Sequence, residues 1–290
     1  MLLKSRENRG QPKAIGLNDM FKAKLIHLTP ILASLLFGVL CAFLLLTSSV
    51  ETYIITPFSE DIFGSVGNAS YFVILVGIGA TLLYFLLKRK SHKLIMLITG
   101  FALTTAVFIL SLIYLFAAFS RFSIPHIETL ILISSLTITI VVGFTVFRTR
   151  SRFCNLIVLC LGGALGTFLA ASIPTLSAIL ILCFLAVYDA FAVYHGPVGK
   201  IALNGLEQLR GLSFSFQDIQ MGLGDLTFYS MLSGHMLLKF RSPIPCIASI
   251  VGILFGCLLA FKMLERKGMF PGLPFPILFG LTASLLTSTL

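Results

Sequence analysis

Asp189 and Asp225 lie inside apolar stretches long enough to cross a membrane. An ionised carboxylate in hydrocarbon costs about 2.5 kcal/mol or more even on lenient insertion scales, so a chain that keeps one has a use for it. Asp189 precedes Lys200 by about 11 residues, roughly 16 Å of helix, and Asp225 follows Asp218 by about 7, roughly 10 Å. If the first stretch runs inward and the second outward, both acids fall in the same half of the membrane, and neighbouring antiparallel helices can bring them face to face. Two close carboxylates in a low-dielectric site cannot both ionise easily, and such a pair shares one proton. That state suits peptide hydrolysis: the ionised acid takes a proton from water while the protonated one polarises the carbonyl. The alternative is that the acids never meet and each hydrogen-bonds a neighbouring helix.

Two backbone features accompany the acids. Gly222-Leu223-Gly224 runs directly into Asp225; glycines there let another backbone approach closely and loosen a helix, though small residues in membrane helices also serve plain packing. Pro271-Gly272-Leu273-Pro274, followed by Pro276, comes after the charged group Glu265, Arg266 and Lys267. Proline removes backbone donors, and non-helical backbone at membrane depth survives only where it is buried in protein or lines a wet cavity. A helix start, where proline is welcome, explains one proline more readily than three.

The elements that must position these residues are membrane helices. The chain has 290 residues, 57% of them hydrophobic and only 11% charged, against about 25% charged in soluble domains. Spans of roughly 20 apolar residues are predicted at Ile26–Thr47, Tyr71–Leu87, Leu94–Phe119, Ile127–Phe147, Phe153–Ala171, Pro174–Tyr194, Ile219–Leu238, Pro243–Leu264 and Pro271–Thr287. An all-α polytopic membrane protein of nine transmembrane helices results. With the N-terminus in the cytoplasm and the C-terminus outside, 18 of the 21 lysines and arginines lie inside, as the positive-inside rule requires. This topology and anionic membrane lipids account for the net charge of +10, and no nucleic acid partner is implied. The expected organisation is a cytoplasmic segment over 1–25, helices one to five over 26–171 and the acid-bearing helices six to nine over 172–290. No cleaved signal peptide is evident.

With YD (Tyr188-Asp189) on the sixth span, GxGD (Gly222-Leu223-Gly224-Asp225) on the seventh and Pro271-Gly272-Leu273-Pro274 on the ninth, the chain resembles the presenilin and signal peptide peptidase family of intramembrane aspartyl proteases, whose marks are YD, GxGD and PAL in that order. The stretch Tyr188–Pro197 looks like the presenilin side, and the brevity of the single chain looks like the archaeal homologues. The motifs cover roughly Ile173–Gly280. The resemblance implies that Asp189 and Asp225 are the catalytic pair. It further implies that Gly222, Leu223 and Gly224 with Pro271, Gly272 and Leu273 bind an extended substrate, and that Tyr188 supports the site. No metal and no organic cofactor would be needed. Substrates would be transmembrane helices or remnant signal peptides, cut near the cytoplasmic side of what is expected to be the cell membrane. A homo-oligomer is left open. Gly272 stands where the motif has alanine, an exchange expected to be tolerated while loosening the site.

Other features carry less. The six cysteines all fall in apolar runs and are expected to be small buried hydrophobes. Asn68-Ala69-Ser70 is a glycosylation sequon that chance explains better. Leu203, Leu206, Leu209 and Leu212 suggest a short helix on the inner leaflet. His195 and His235 lack ligand-spaced companions, and Tyr188 and Tyr229 are candidates to hydrogen-bond near the acids. A proton- or cation-coupled transporter would also place acids and broken helices near the midplane, but no inverted repeat is seen. A prepilin-type peptidase shares GxGD; the late Pro-Gly-Leu-Pro element argues against it.

Overall fold

A computed structural model describes residues 2–5, 22–48, 53–89, 91–120, 122, 125–148, 152–195, 212–216, 219–267 and 269–288. Among them are nine α-helices: α1 Thr29–Thr47, preceded by a 3-10 turn at Leu25–Leu28, α2 Ile62–Lys88, α3 His92–Phe119, α4 Ile127–Arg148, α5 Arg152–Ser172, α6 Thr175–Tyr194, α7 Leu223–Phe240, α8 Pro243–Lys267 and α9 Pro274–Ser288. Seven of them, α1–α6 and α8, are long and apolar enough to cross a membrane, which makes the chain an integral multi-pass membrane protein. The apolar α9 is shorter, at 15 residues.

α7 is the axis of the core. Every residue from Asp225 to Leu237 is buried, so this helix is wrapped by protein and can carry Ser230, Ser233 and His235 at membrane depth. α5 supplies the close packing. A Cβ added at Gly166 would strike the Thr227 carbonyl oxygen and come within 2.8 Å of the Met231 nitrogen, so α5 and α7 meet backbone to backbone. Small residues are what allow helices to approach this closely in a membrane. α1 joins the same core through Ser34 Oγ, which donates to the Leu159 carbonyl at 2.8 Å, while Thr167 Oγ1 of α5 donates to the Gly38 carbonyl at 2.7 Å. α1 and α5 therefore pack into one core with α7, while Leu103, Val107 and Leu110 of α3 and Val146 of α4 form a second cluster against α1 and α5.

α2 begins at Ile62, a full nine residues before the expected Tyr71. Asp61 caps it by accepting the Gly64 N–H at 3.2 Å, and the Ser59 hydroxyl beside it holds its carboxyl below the usual carboxylate range. Two polar side chains near its start, Ser65 and Asn68, are buried against α6: Asn68 accepts from the Phe58 N–H at 3.0 Å and donates to Ser177 Oγ at 3.0 Å. The sequon asparagine is thus a tie between helices. Of the cysteines, Cys41, Cys246 and Cys257 are buried, but Cys154 and Cys160 are half-buried and Cys183 is exposed. An apolar outer surface makes that tolerable in lipid. The leucine series from Leu203 lies, apart from Leu212, outside the described residues.

A small antiparallel sheet accompanies the helices: β1 Leu2–Ser5, β2 Ser213–Phe216, β3 Ile219–Gly222 and β4 Met269–Pro271, in the order β2-β3-β1-β4. β2 and β3 pair from Ser213 opposite Gly222 to Phe216 opposite Ile219. β1 lies between β3 and β4, with Lys4 opposite both Gln220 and Met269 and Leu2 opposite Pro271. The seventh and ninth spans therefore start later than expected. Residues 219–222 and 269–271 are strand: Gly222 ends the first run and Pro271 the second, and an extended neighbour is present to satisfy their backbones.

Candidate active site

The helix face of α6 explains the position of Asp189. Its buried residues Ala178, Ile181, Leu182, Leu185, Asp189, Ala192 and Val193 recur at three- and four-residue intervals, the stripe a helix turns toward its core. Asp189 occupies one place in that stripe and is 1% exposed. Asp225 arises differently. β3 ends at Gly222, whose extended backbone (φ −75°, ψ 147°) caps α7, and the Leu223 N–H donates to the Leu212 carbonyl at 2.8 Å. The acid then falls in the first turn of α7 and is 0% exposed.

Both acids converge on two consecutive residues between β4 and α9. The Leu273 N–H donates to Asp189 Oδ2 at 3.0 Å. Gly272 lies directly against Asp225: a Cβ built on it would stand 2.8 Å from Oδ2, 2.9 Å from Cγ and 3.0 Å from Oδ1. Gly272 is therefore a close approach to an acid, and a methyl group there would have to displace the Asp225 side chain. Neither oxygen of Asp225 has a hydrogen-bond partner among the described residues. A buried polar group without a protein partner is met at catalytic positions and where water is bound.

Tyr229, one turn beyond Asp225, fixes the loop from the other side. Its hydroxyl donates to the Gly272 carbonyl at 2.6 Å, and its ring is fully buried. Of the two tyrosines singled out in the sequence, this is the one bonded to the loop that both acids meet. Tyr188 instead lays its ring toward α2, where a Cβ on Gly77 would lie 3.5 Å from its hydroxyl. Pro271 and Leu273 are buried on either side of Gly272, whereas Gly222, Leu223 and Gly224 are half-buried at the helix start. The sequence signal for Tyr229 was weak because its partner lies 43 residues away.

The histidines stand apart from this site. His195 stacks on Phe191 at 5.5 Å, and His235 Nδ1 lies 2.9 Å from the Ala170 carbonyl near the other end of α7. Among the described residues no group of three or more His, Cys, Asp or Glu is arranged to hold a metal ion.

No protein-family model matches the sequence, and no curated protein matches it. Solved structures do. Two crystal forms of a presenilin family intramembrane aspartate protease, in space groups C222 and P2, each align with a TM-score of 0.65. Identity is 19% and 21%, over 90% and 92% of this chain and 98% and 99% of theirs. The fold is that of the presenilin-type intramembrane aspartate proteases.

Proposed function

We propose that the chain is an intramembrane aspartyl endopeptidase in which Asp189 and Asp225 act as a general acid–base pair. The observation that carries this reading is the convergence of two buried acids, from adjacent helices, on the Gly272–Leu273 backbone. The resemblance to solved aspartate proteases over nearly the whole chain supports it.

The chemistry needs one proton between the two acids. The ionised carboxylate accepts a proton from water as the water oxygen bonds to the scissile carbonyl carbon. The protonated carboxyl gives its proton to the carbonyl oxygen, leaving a neutral gem-diol. Roles then reverse: the newly protonated acid donates to the amide nitrogen as the C–N bond breaks, and its partner takes a diol hydroxyl proton, yielding a carboxylic acid and an amine. The hydrogen bond from the Leu273 N–H orients Asp189 for this exchange. Tyr229 holds the Gly272 carbonyl and hence the loop. Gly222, Leu223, Gly224, Pro271, Gly272 and Leu273 form the wall on which a locally unwound substrate lies, and Tyr188 supports α6 from the side of α2.

A peptide bond within a helix is shielded, so the substrate must unwind and find partners for its freed backbone groups; strand addition supplies them. The substrates are transmembrane helices or remnant signal peptides. By the charge distribution the sheet end of the bundle faces the cytoplasm, with the N-terminus inside, the C-terminus outside and the cell membrane as location.

The test is purified protein in detergent with a single-helix membrane substrate, comparing wild type, Asp189→Asn and Asp225→Asn and reading products by mass spectrometry. Cleavage within the substrate helix by wild type alone is expected. Equal cleavage by all three removes the assignment. Proton-coupled uptake in liposomes, lost in Asp189→Asn with no cleavage by any variant, replaces it with the transporter reading.

A further inference from the structure

The sheet order carries a consequence for access to this site. β3 leads directly into the turn that bears Asp225, and β4 leads directly into Gly272. These two strands do not pair with each other; β1 lies between them and bonds to both. With neighbouring strands about 4.8 Å apart, β3 and β4 face one another across a slot roughly 9.6 Å wide, the width of one extended chain. An unpaired strand edge presents a row of free N–H and C=O groups, a template for another extended chain. The slot has room for one strand. Its occupant here is the chain's own residues Leu2–Ser5, whose Leu2 end lies opposite Pro271, next to the residue against which Asp225 packs.

We infer that Leu2–Ser5, lying between β3 and β4 where an unwound substrate would add as a strand, is a self-inhibiting strand that a substrate must displace. The inference rests on the protease reading for its consequence, since exclusion from the slot matters only where an unwound peptide must reach the acids. It does not rest on that reading for the exclusion itself. β1 suits the role. It is four residues long and lies between strands of four and three residues, so it offers few ladder bonds to break. It pairs antiparallel with both neighbours, and the same geometry is open to any peptide entering in that direction.

Two variants of the full chain test this. Leu3→Cys with Phe270→Cys places thiols on directly opposed residues, at a separation antiparallel neighbours share with disulfides; the single Leu3→Cys variant controls for the six native cysteines. Cross-linking is expected in the free protein and is expected to slow at least severalfold when a single-helix membrane substrate is added. The oxidised protein should lose cleavage, and dithiothreitol should restore it. Leu3→Pro, which removes an N–H from a strand with neighbours on both sides, should raise kcat/KM roughly five- to tenfold, the worth of about one hydrogen bond. Absence of the cross-link, an unchanged cross-linking rate with substrate, or full cleavage by the oxidised protein overturns the inference. Where no variant cleaves in any redox state, the protease reading fails, while slowing of the cross-link by substrate still decides whether the slot is shared.

Discussion

Gly272→Ala separates what the loop does for folding from what it does for the acids. The added methyl carbon would stand 2.8–3.0 Å from three atoms of the Asp225 carboxyl group, where carbon and oxygen normally keep about 3.3 Å or more. Roughly half an ångström must be found. The cheapest source is Asp225 itself, because its oxygens have no hydrogen bond among the described residues to hold them. Turning a side chain some 30° off its rotamer costs about 0.5–1.5 kcal/mol, so the fold should survive. The reaction should not be as tolerant: a displacement of about 1 Å costs about a hundredfold when reacting groups must be aligned, and half of that about tenfold. The expected outcome is a kcat lowered roughly ten- to a hundredfold with KM changed less than about twofold, and a melting temperature close to wild type. Initial rates against substrate concentration, with thermal melting in the same detergent, measure both. A kcat equal to wild type would refute the reasoning, since it would mean that Asp225 does not need its place beside Gly272. Parallel loss of kcat and melting temperature would refute it too, by showing that the loop rather than the acid had moved.

Three further outcomes are expected. Tyr229→Phe removes the donor to the Gly272 carbonyl and should cost about 1–3 kcal/mol of stability while lowering kcat more than it changes KM; kinetics with denaturation of the same preparation check this, and unchanged kcat would detach Tyr229 from the site. Gly166→Ala should do the opposite of Gly272→Ala, costing about 1–3 kcal/mol through overpacking, because the atoms in its way are the backbone of α7; a melt at the wild-type temperature would mean the helices have more play than the structure shows. Asn68→Ala should destabilise by about 2–3 kcal/mol through lost buried hydrogen bonds, and wild-type protein passed through a glycosylating secretory system should show no mobility shift on treatment with a peptide N-glycosidase; a shift would place Asn68 outside the helix interface.

Much of this architecture is legible in the sequence because crossing a membrane imposes a length and a composition. Eight of the nine expected spans begin and end within a few residues of a helix; the exception is the early start of α2, where the capping Asp61 and the buried Asn68 let polar residues extend a helix beyond its apolar part. The sheet is not legible for the opposite reason. Ile219 and Met221 are buried and alternate with half-buried Gln220 and Gly222, a strand pattern, but four residues are too few for period to separate strand from helix. β1 lies in a polar, basic stretch that reads as a tail, and its strand character comes wholly from partners more than two hundred positions away. The acids were found by their rarity at depth. Their convergence on Gly272 and Leu273, and the hydroxyl of Tyr229 behind that loop, depend on how α9 meets α6 and α7, which no local pattern encodes.

The burial of α7 has a mechanical corollary. Asp225 rides on a helix whose residues through Leu237 never meet lipid, whereas Asp189 rides on α6, whose other face presents Val187, Phe191 and Tyr194 to the outside. When a bilayer is thicker or thinner than the helices it surrounds, the exposed ones answer by tilting. The lipid therefore grips the carrier of one acid and not that of the other. Acyl-chain length is then expected to act on the tilt of α6 against α7, a response that a series of bilayers of graded thickness would read.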